Sequence, residues 1–126
     1  MSLDKELPTA VLNLKNIGKK KVQGTLFALA SRIIKESPVD TGRFRGNWQA
    51  SIGSPLKNKL EVTDPTGAAT ISKVGNVVQS LDMGETFFMT NNLPYATRLE
   101  FGYSKQAPAG MLRINVERVR AAIARA

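Results

Sequence analysis

The sequence predicts an α+β domain: a small antiparallel β-sheet packed by a long N-terminal helix, a middle helix and a C-terminal helix. Three observations predict it. Apolar residues recur at helical spacing in three separate stretches. Short runs between those stretches alternate in polarity or are rich in aromatic and β-branched residues. Each change of period falls at Gly, Pro or Asp. A chain of 126 residues fits one hydrophobic core, so the expected organisation is a flexible N-terminal arm over 1–12 and a single α+β structural domain over 13–126.

Residues 1–12 contain Pro8 and no sustained period, which reads as an arm. From about Lys15 to Glu36, Val22, Leu26, Leu29 and Ile33 fall on one side of a helix, with Lys20, Ser31 and Lys35 on the other. The helix should end before Pro38, whose ring disfavours helical backbone in the residue preceding it. A turn-rich connection from Ser37 to Gly46 leads to a strand at about 45–53, where Trp48, Ala50 and Ile52 alternate. After Gly53-Ser54-Pro55, Leu60 and Val62 alternate with Glu61 and Thr63, which predicts a second strand over 59–63 paired with the first as a hairpin. Asp64-Pro65 has the form of an N-cap followed by proline at the first helical position, and Ile71, Val74, Val78 and Leu81 continue at helical spacing. Glu85 to Asn91, with Phe87 and Phe88, predicts a third strand. Tyr95 to Phe101 predicts two helical turns entered at Pro94 and stopped by Gly102, and Leu112, Val116, Val119 and Ile123 predict a final helix at about 109–125.

Composition narrows the chemistry. There is no Cys, which excludes a disulfide, a thiol nucleophile and thiolate zinc sites. There is no His, which removes the commonest general acid/base and the commonest metal ligand. No Gly-Lys-Ser/Thr phosphate loop and no Gly-x-Gly-x-x-Gly is present, so no cofactor is expected. No apolar run reaches the roughly 20 residues of a membrane helix, so synthesis as a soluble intracellular protein is expected, with no membrane partner. The net charge of +8 is concentrated at the ends: residues 1–36 hold 7 Lys/Arg against 3 Asp/Glu, and residues 105–126 hold 5 against 1. Such a charge can contact phosphate backbone by counterion release, match an acidic partner, or simply keep the protein soluble. Lys19, Lys20 and Lys21 in the first helix and Arg118 and Arg125 in the last are the candidates for facing DNA or a partner. Three consecutive lysines spread around a helix, and no groove-reading element accompanies them, so any DNA contact should be independent of sequence.

Asp40-Thr41-Gly42 matches the active-site triplet of aspartic proteases, which need the aspartate at a turn between hydrophobic strands so that two carboxylates share a proton. Here the triplet follows a helix and Ser37-Pro38, and Arg43 stands where a small residue is needed. The structural alternative is that Asp40 and Thr41 hydrogen-bond local backbone while Gly42 supplies a conformation other residues resist. Trp48, Phe87, Phe88, Tyr95 and Phe101 read as core or interface anchors. Glu100, between Leu99 and Phe101, is either solvent-facing or held by a cation such as Arg43, Arg45 or Arg98.

Three stretches together resemble one family. Ser37-Pro38-Val39-Asp40-Thr41-Gly42-Arg43-Phe44-Arg45-Gly46-Asn47-Trp48 is similar to the segment after the first helix in minor tail or tail-completion (head-tail joining) proteins of long-tailed bacteriophages and prophages. Asn91-Asn92-Leu93-Pro94-Tyr95-Ala96, continuing through Leu99-Glu100-Phe101-Gly102, resembles that family's strand end, Pro-Tyr-Ala turn and Glu-x-Gly. Gln106-Ala107-Pro108-Ala109-Gly110-Met111 leads similarly into the last helix. The order and spacing of the three are more specific than any one alone.

The resemblance implies a virion structural protein of the neck, not an enzyme, with Asp40, Thr41, Gly42, Trp48, Asn91, Pro94, Tyr95, Glu100 and Gly102 as structural motif residues. It implies self-association into a ring on assembly, contacts with the tail terminator and the head-side connector, and a location in the tail and neck after assembly in the host bacterial cytoplasm. One ring face is expected to include the loop Ser54 to Asn58 or the loop Ser104 to Pro108, since turn-rich segments can become ordered when a neighbour fixes them. The alternatives are a basic, sequence-independent DNA-binding accessory protein and, more remotely, an aspartic protease.

Overall fold

The computed structural model describes residues 18–102, 105–107 and 110–124. The expected N-terminal arm over 1–12, the helix start at Lys15, Arg125, Ser104 and Pro108 lie outside the described residues. Within them the order is α1 (Lys19–Glu36), α2 (Arg43–Gly46), β1 (Trp48–Ile52), α3 (Ala68–Ser80), β2 (Phe87–Asn91), α4 (Ala96–Glu100) and α5 (Leu112–Ala124). The class is α+β, as the sequence predicts.

α1 buries Val22, Leu26, Leu29, Ala30, Ile33 and Ile34, a stripe set by spacings of three and four. It stops at Ser37, whose backbone is extended at ψ 138° ahead of Pro38. The Ser37 hydroxyl donates back to the Ile33 carbonyl at 2.7 Å and accepts from the buried Trp48 indole Nε1 at 2.7 Å. One side chain therefore closes α1 and ties it to the sheet. α3 lies on β1, α1 packs on α3, and α5 packs against α1. Between these layers Phe44, Trp48, Val74, Val78, Leu93, Met111 and Val116 join the α1 stripe in one core. The rings of Phe44 and Trp48 meet edge to face, with centroids 5.8 Å apart.

The sheet departs from the expected hairpin. β1 pairs antiparallel with β2, in the register Trp48↔Asn91 through Ile52↔Phe87. Residues 59–63 form no strand, and the first strand is shortened at its start by the turn of α2. The alternation that predicts a second strand has a different physical origin. Gln49 and Thr90, cross-strand partners, share the outer face of the sheet, and Asn47 and Asn92 stand just beyond its strand ends. Their side chains hold alternate carbonyls of the loop. Leu56 O accepts from Thr90 Oγ1 at 3.4 Å and Asn92 Nδ2 at 2.9 Å. Asn58 O accepts from Gln49 Nε2 at 2.7 Å and Asn92 Nδ2 at 3.1 Å. Leu60 O accepts from Asn47 Nδ2 at 3.2 Å, while the Leu60 amide donates to Asn47 Oδ1 at 2.8 Å. The segment is thus latched over the sheet face by side-chain amides instead of joining its edge through backbone hydrogen bonds.

Two helix starts also shift. α3 begins at Ala68, after a turn containing Pro65, and its N-cap residue is Gly67 at φ 80°. Asp64 still serves the helix, from farther back: its Oδ2 accepts from the Thr70 amide at 2.8 Å and the Thr70 hydroxyl at 2.7 Å. α5 begins at Leu112, later than the expected 109. The short helix α4 is one turn, closed as expected by Gly102 at φ 91°.

The amide latch has a measurable consequence. Asn47 is fully buried and also donates to Arg43 O at 2.7 Å. Asn47→Ala is expected to lower stability by about 2 kcal/mol, because it leaves buried partners unsatisfied. It should also speed tryptic cutting after Lys57 and Lys59 in the native protein. Urea denaturation and timed proteolysis read the two effects.

Candidate functional site

Asp40, Thr41 and Gly42 occupy the bend between α1 and α2, not a turn between strands. Asp40 is exposed, and Thr41 Oγ1 accepts from the Arg43 amide at 3.2 Å. Gly42 carries the structural weight. Its φ is 92°, and a Cβ there would stand 2.5 Å from Pro65 N and 2.8 Å from Asp64 C. Its carbonyl accepts from the amides of Gly46 and Asp64, each at 2.9 Å. Only glycine admits both the left-handed backbone and this close approach.

Arg45 completes the junction. Its Nη1 donates to Pro65 O at 2.7 Å, and Nη2 donates to Lys35 O at 2.9 Å and Ser37 O at 2.8 Å. Burial lowers the Arg45 pKa, opposed by the charge of Asp64. Burial alone would raise the Asp64 carboxyl, but hydrogen bonds from the Thr70 hydroxyl and the amides of Thr70 and Gly67, with the charge of Arg45, more than offset it and hold the carboxyl below its ordinary value.

The second motif stretch docks onto the first. Asn91, fully buried at the end of β2, donates from Nδ2 to Phe44 O at 2.9 Å and accepts the Leu93 amide on Oδ1. Pro94 is exposed; Tyr95 is partly exposed, with its ring centroid 6.1 Å from that of Phe44. Glu100 is neither solvent-facing nor held by Arg43, Arg45 or Arg98. It is 1% exposed, and its cation is Arg113, with Arg113 Nε 2.9 Å from Oε2. The carboxylate also accepts the amides of Met111 and Leu112 on Oε1 and of Arg113 on Oε2, at 2.8–3.1 Å. A carboxylate placed this way satisfies donors that a helix start leaves unpaired and complements its dipole. Gly110, at φ 78°, makes room, since a Cβ there would run into the Glu100 carbonyl. The Arg113 guanidinium covers the half-exposed Phe101 ring at 4.1 Å. Phe101 and Tyr95 are therefore surface aromatics, not core.

The third stretch closes back on the first. The Gln106 side chain accepts from the Val39 amide at 2.8 Å and donates to the Val39 carbonyl at 3.0 Å. Between the end of α1 and the start of α5 this leaves an open cleft of about 370 Å³, lined by Lys35, Arg45, Gln106, Ile114 and Arg118 among others.

The candidate cations are divided by the fold. Lys19 Nζ pairs with Asp82 at 2.5 Å, and Arg118 pairs with Glu36 at 3.0 Å while also donating to Asn115 Oδ1. Lys20 and Lys21 are exposed and in no ion pair among the described residues. Sequence reasoning passed over the roles of Asn47, Arg45 and Arg113, whose one signal was a place inside or next to a motif stretch, and it read Asp64 as an adjacent cap where the structure makes it a remote one. Among the described residues no group of three or more acidic residues could hold a metal, and no helix is long and apolar enough to cross a membrane. What the arrangement does chemically is fix backbone: its buried polar groups spend their hydrogen bonds on carbonyls and amides.

Two outcomes follow. Glu100→Ala leaves three amides and a guanidinium without their acceptor and is expected to cost about 3–5 kcal/mol, with Glu100→Gln costing less, read from urea midpoints. Asp64 has a folded-state pKa below its unfolded value, so its contribution is fully present above the ordinary carboxyl range and is lost as pH falls through that range towards the folded value. The stability deficit of Asp64→Asn should therefore be largest near neutral pH and shrink below about pH 4, measured by thermal melts across pH. Against known proteins, no family model, no curated protein and no solved structure matches this chain.

Proposed function

We propose that this protein is a virion structural protein of the neck of a long-tailed bacteriophage or prophage, completing the tail and joining it to the head as a ring subunit. The observation that carries this reading is the convergence of the three stretches that resemble tail-completion proteins. Ser37–Trp48 is far in sequence from Asn91–Gly102 and from the segment around Gln106–Met111 that follows it closely. In the fold they interlock through Asn91 on Phe44, Gln106 on Val39, and Glu100 on the amides of 111–113. A resemblance spread over three unrelated surface loops would carry little. One that falls on the residues organising a single frame is what a shared scaffold requires.

The ring, its contacts with the tail terminator and the head-side connector, and its location in the virion belong to the same proposal. A closed ring needs two different faces on each subunit. The loop at Ser54 to Asn58 is exposed and held only from beneath, which suits it to one of them. The aspartic protease reading loses its footing in the local geometry: Asp40 is an exposed residue of a bend beside a helix, and the glycine after it is committed to the Asp64-Pro65 turn.

Electron microscopy of tail tubes from a lysate lacking this protein, incubated with the purified chain, tests the proposal. Added density at one end of the tubes, and recovery of joined particles when heads are supplied, is the expected result. Tubes left bare at saturating protein would refute it.

A further inference from the structure

We propose that the solvent face of α1, carrying Lys20, Lys21, Arg32 and Lys35, is a sequence-independent docking surface for the phosphate backbone of duplex nucleic acid. The inference rests on the charge map of the molecule and does not require the virion reading.

At 100° per residue, Lys20, Lys35, Lys21 and Arg32 fall within an arc of about 120°, opposite the buried stripe of Val22, Leu26, Leu29 and Ile33. All four are exposed, and none is in an ion pair among the described residues. No carboxylate shares the arc. The acidic residues on either flank, Glu36 and Asp82, are already taken by Arg118 and Lys19. α3, packed beside α1, contains Lys73 and no acidic residue. Residues 1–17 hold two lysines against two carboxylates, so by sequence they bring no net side-chain charge to neutralise this face.

The cations stand as two pairs, Lys20 with Lys21 and Arg32 with Lys35, separated by about 16 Å at 1.5 Å rise per residue. Between them the arc holds Gly24, Ala28 and Ser31, with no long side chain to keep a rod-like partner away. A Cβ at Gly24 would meet nothing within 4 Å, so folding does not demand glycine there, although mid-helix glycine costs about 1 kcal/mol relative to alanine. The large apolar residue nearest the face, Phe27, is 42% exposed but stands outside the arc, with its ring edge over Gly75 of α3. A protein partner is normally anchored by aromatic or aliphatic side chains at the centre of its interface. This face offers charge without an anchor, which suits a polyanion held by counterion release. Duplex DNA presents one charge per about 1.7 Å of its axis, so both pairs reach phosphates at once.

The test is anisotropy of a labelled duplex of random sequence, titrated with the full chain at several salt concentrations. Lys20→Gln/Lys21→Gln and Arg32→Gln/Lys35→Gln should each flatten the slope of log affinity against log salt by about 2. Lys57→Gln/Lys59→Gln, which removes the same charge from the exposed loop, should leave the slope close to wild type. Gly24→Glu puts a carboxylate between the pairs while improving helix propensity, so it should weaken binding with an unchanged or raised melting temperature, a result that misfolding would not produce. Equal slopes for all the double variants overturn the proposal, as does tighter binding of polyglutamate than of duplex at equal charge, which would assign the face to an acidic protein. Duplex binding by a chain that leaves tail tubes bare would keep this inference and discard the neck assignment.

Discussion

A single buried carboxylate fixes the start of α5. Glu100 leaves a one-turn helix with almost no surface in water and takes the first three amides leading into α5 together with the guanidinium of Arg113. A carboxylate withdrawn from solvent this far is tolerable only when its acceptor capacity is filled. Its satisfaction therefore demands that the chain return to it eleven residues later with backbone amides aligned. That return sets where α5 starts, and α5 in turn covers one flank of α1. Gly102 and Gly110, at either end of the connection, each have positive φ, which glycine adopts without strain.

The sheet is organised by a related economy. Two strands of five residues form a ladder too small to stand alone. One face is closed by α3. The other is closed by a loop whose carbonyls at 56, 58 and 60 meet the side chains of Asn47, Gln49, Thr90 and Asn92. Asn91 faces the other way and fastens the end of β2 to the carbonyl of Phe44. Buried amides thus replace the additional strand that a larger domain would use, and their need for partners makes the arrangement specific as well as stable.

The single turn of α2 fell in what reads as a connection, but the three long helices were legible in the sequence because their apolar spacing is itself the reason they form: Val22, Leu26, Leu29 and Ile33 name the buried face of α1 directly. The alternation around Leu60 and Val62 also carried a true signal, that alternate residues face opposite ways. It could not say what the chain pairs with, since an edge offering backbone and a face offering amides leave the same two-residue period. Asp64-Pro65 showed that a helix start was near but not that the carboxylate would reach Thr70 across an intervening turn. At the candidate site, the motif stretches hold Gly42, Trp48, Asn91 and Glu100, but the partner of Glu100 was misassigned, because Arg113 lies thirteen positions away and nothing local distinguishes it from Arg98. Which cations are taken into ion pairs was equally invisible: Lys19 and Lys20 are adjacent in the chain and both exposed, and only the fold brings Asp82 to one of them.

The hydroxyl of Ser37 gives the molecule a built-in optical reporter. Trp48 is the sole tryptophan, is buried, and donates its indole hydrogen to Ser37 Oγ, which donates onward to Ile33. The chromophore therefore sits where the last turn of α1, the α2 turn and the first residue of β1 come together. Its emission follows the polarity and order of that junction, so intrinsic fluorescence of the unlabelled chain reports directly on the integrity of the central frame.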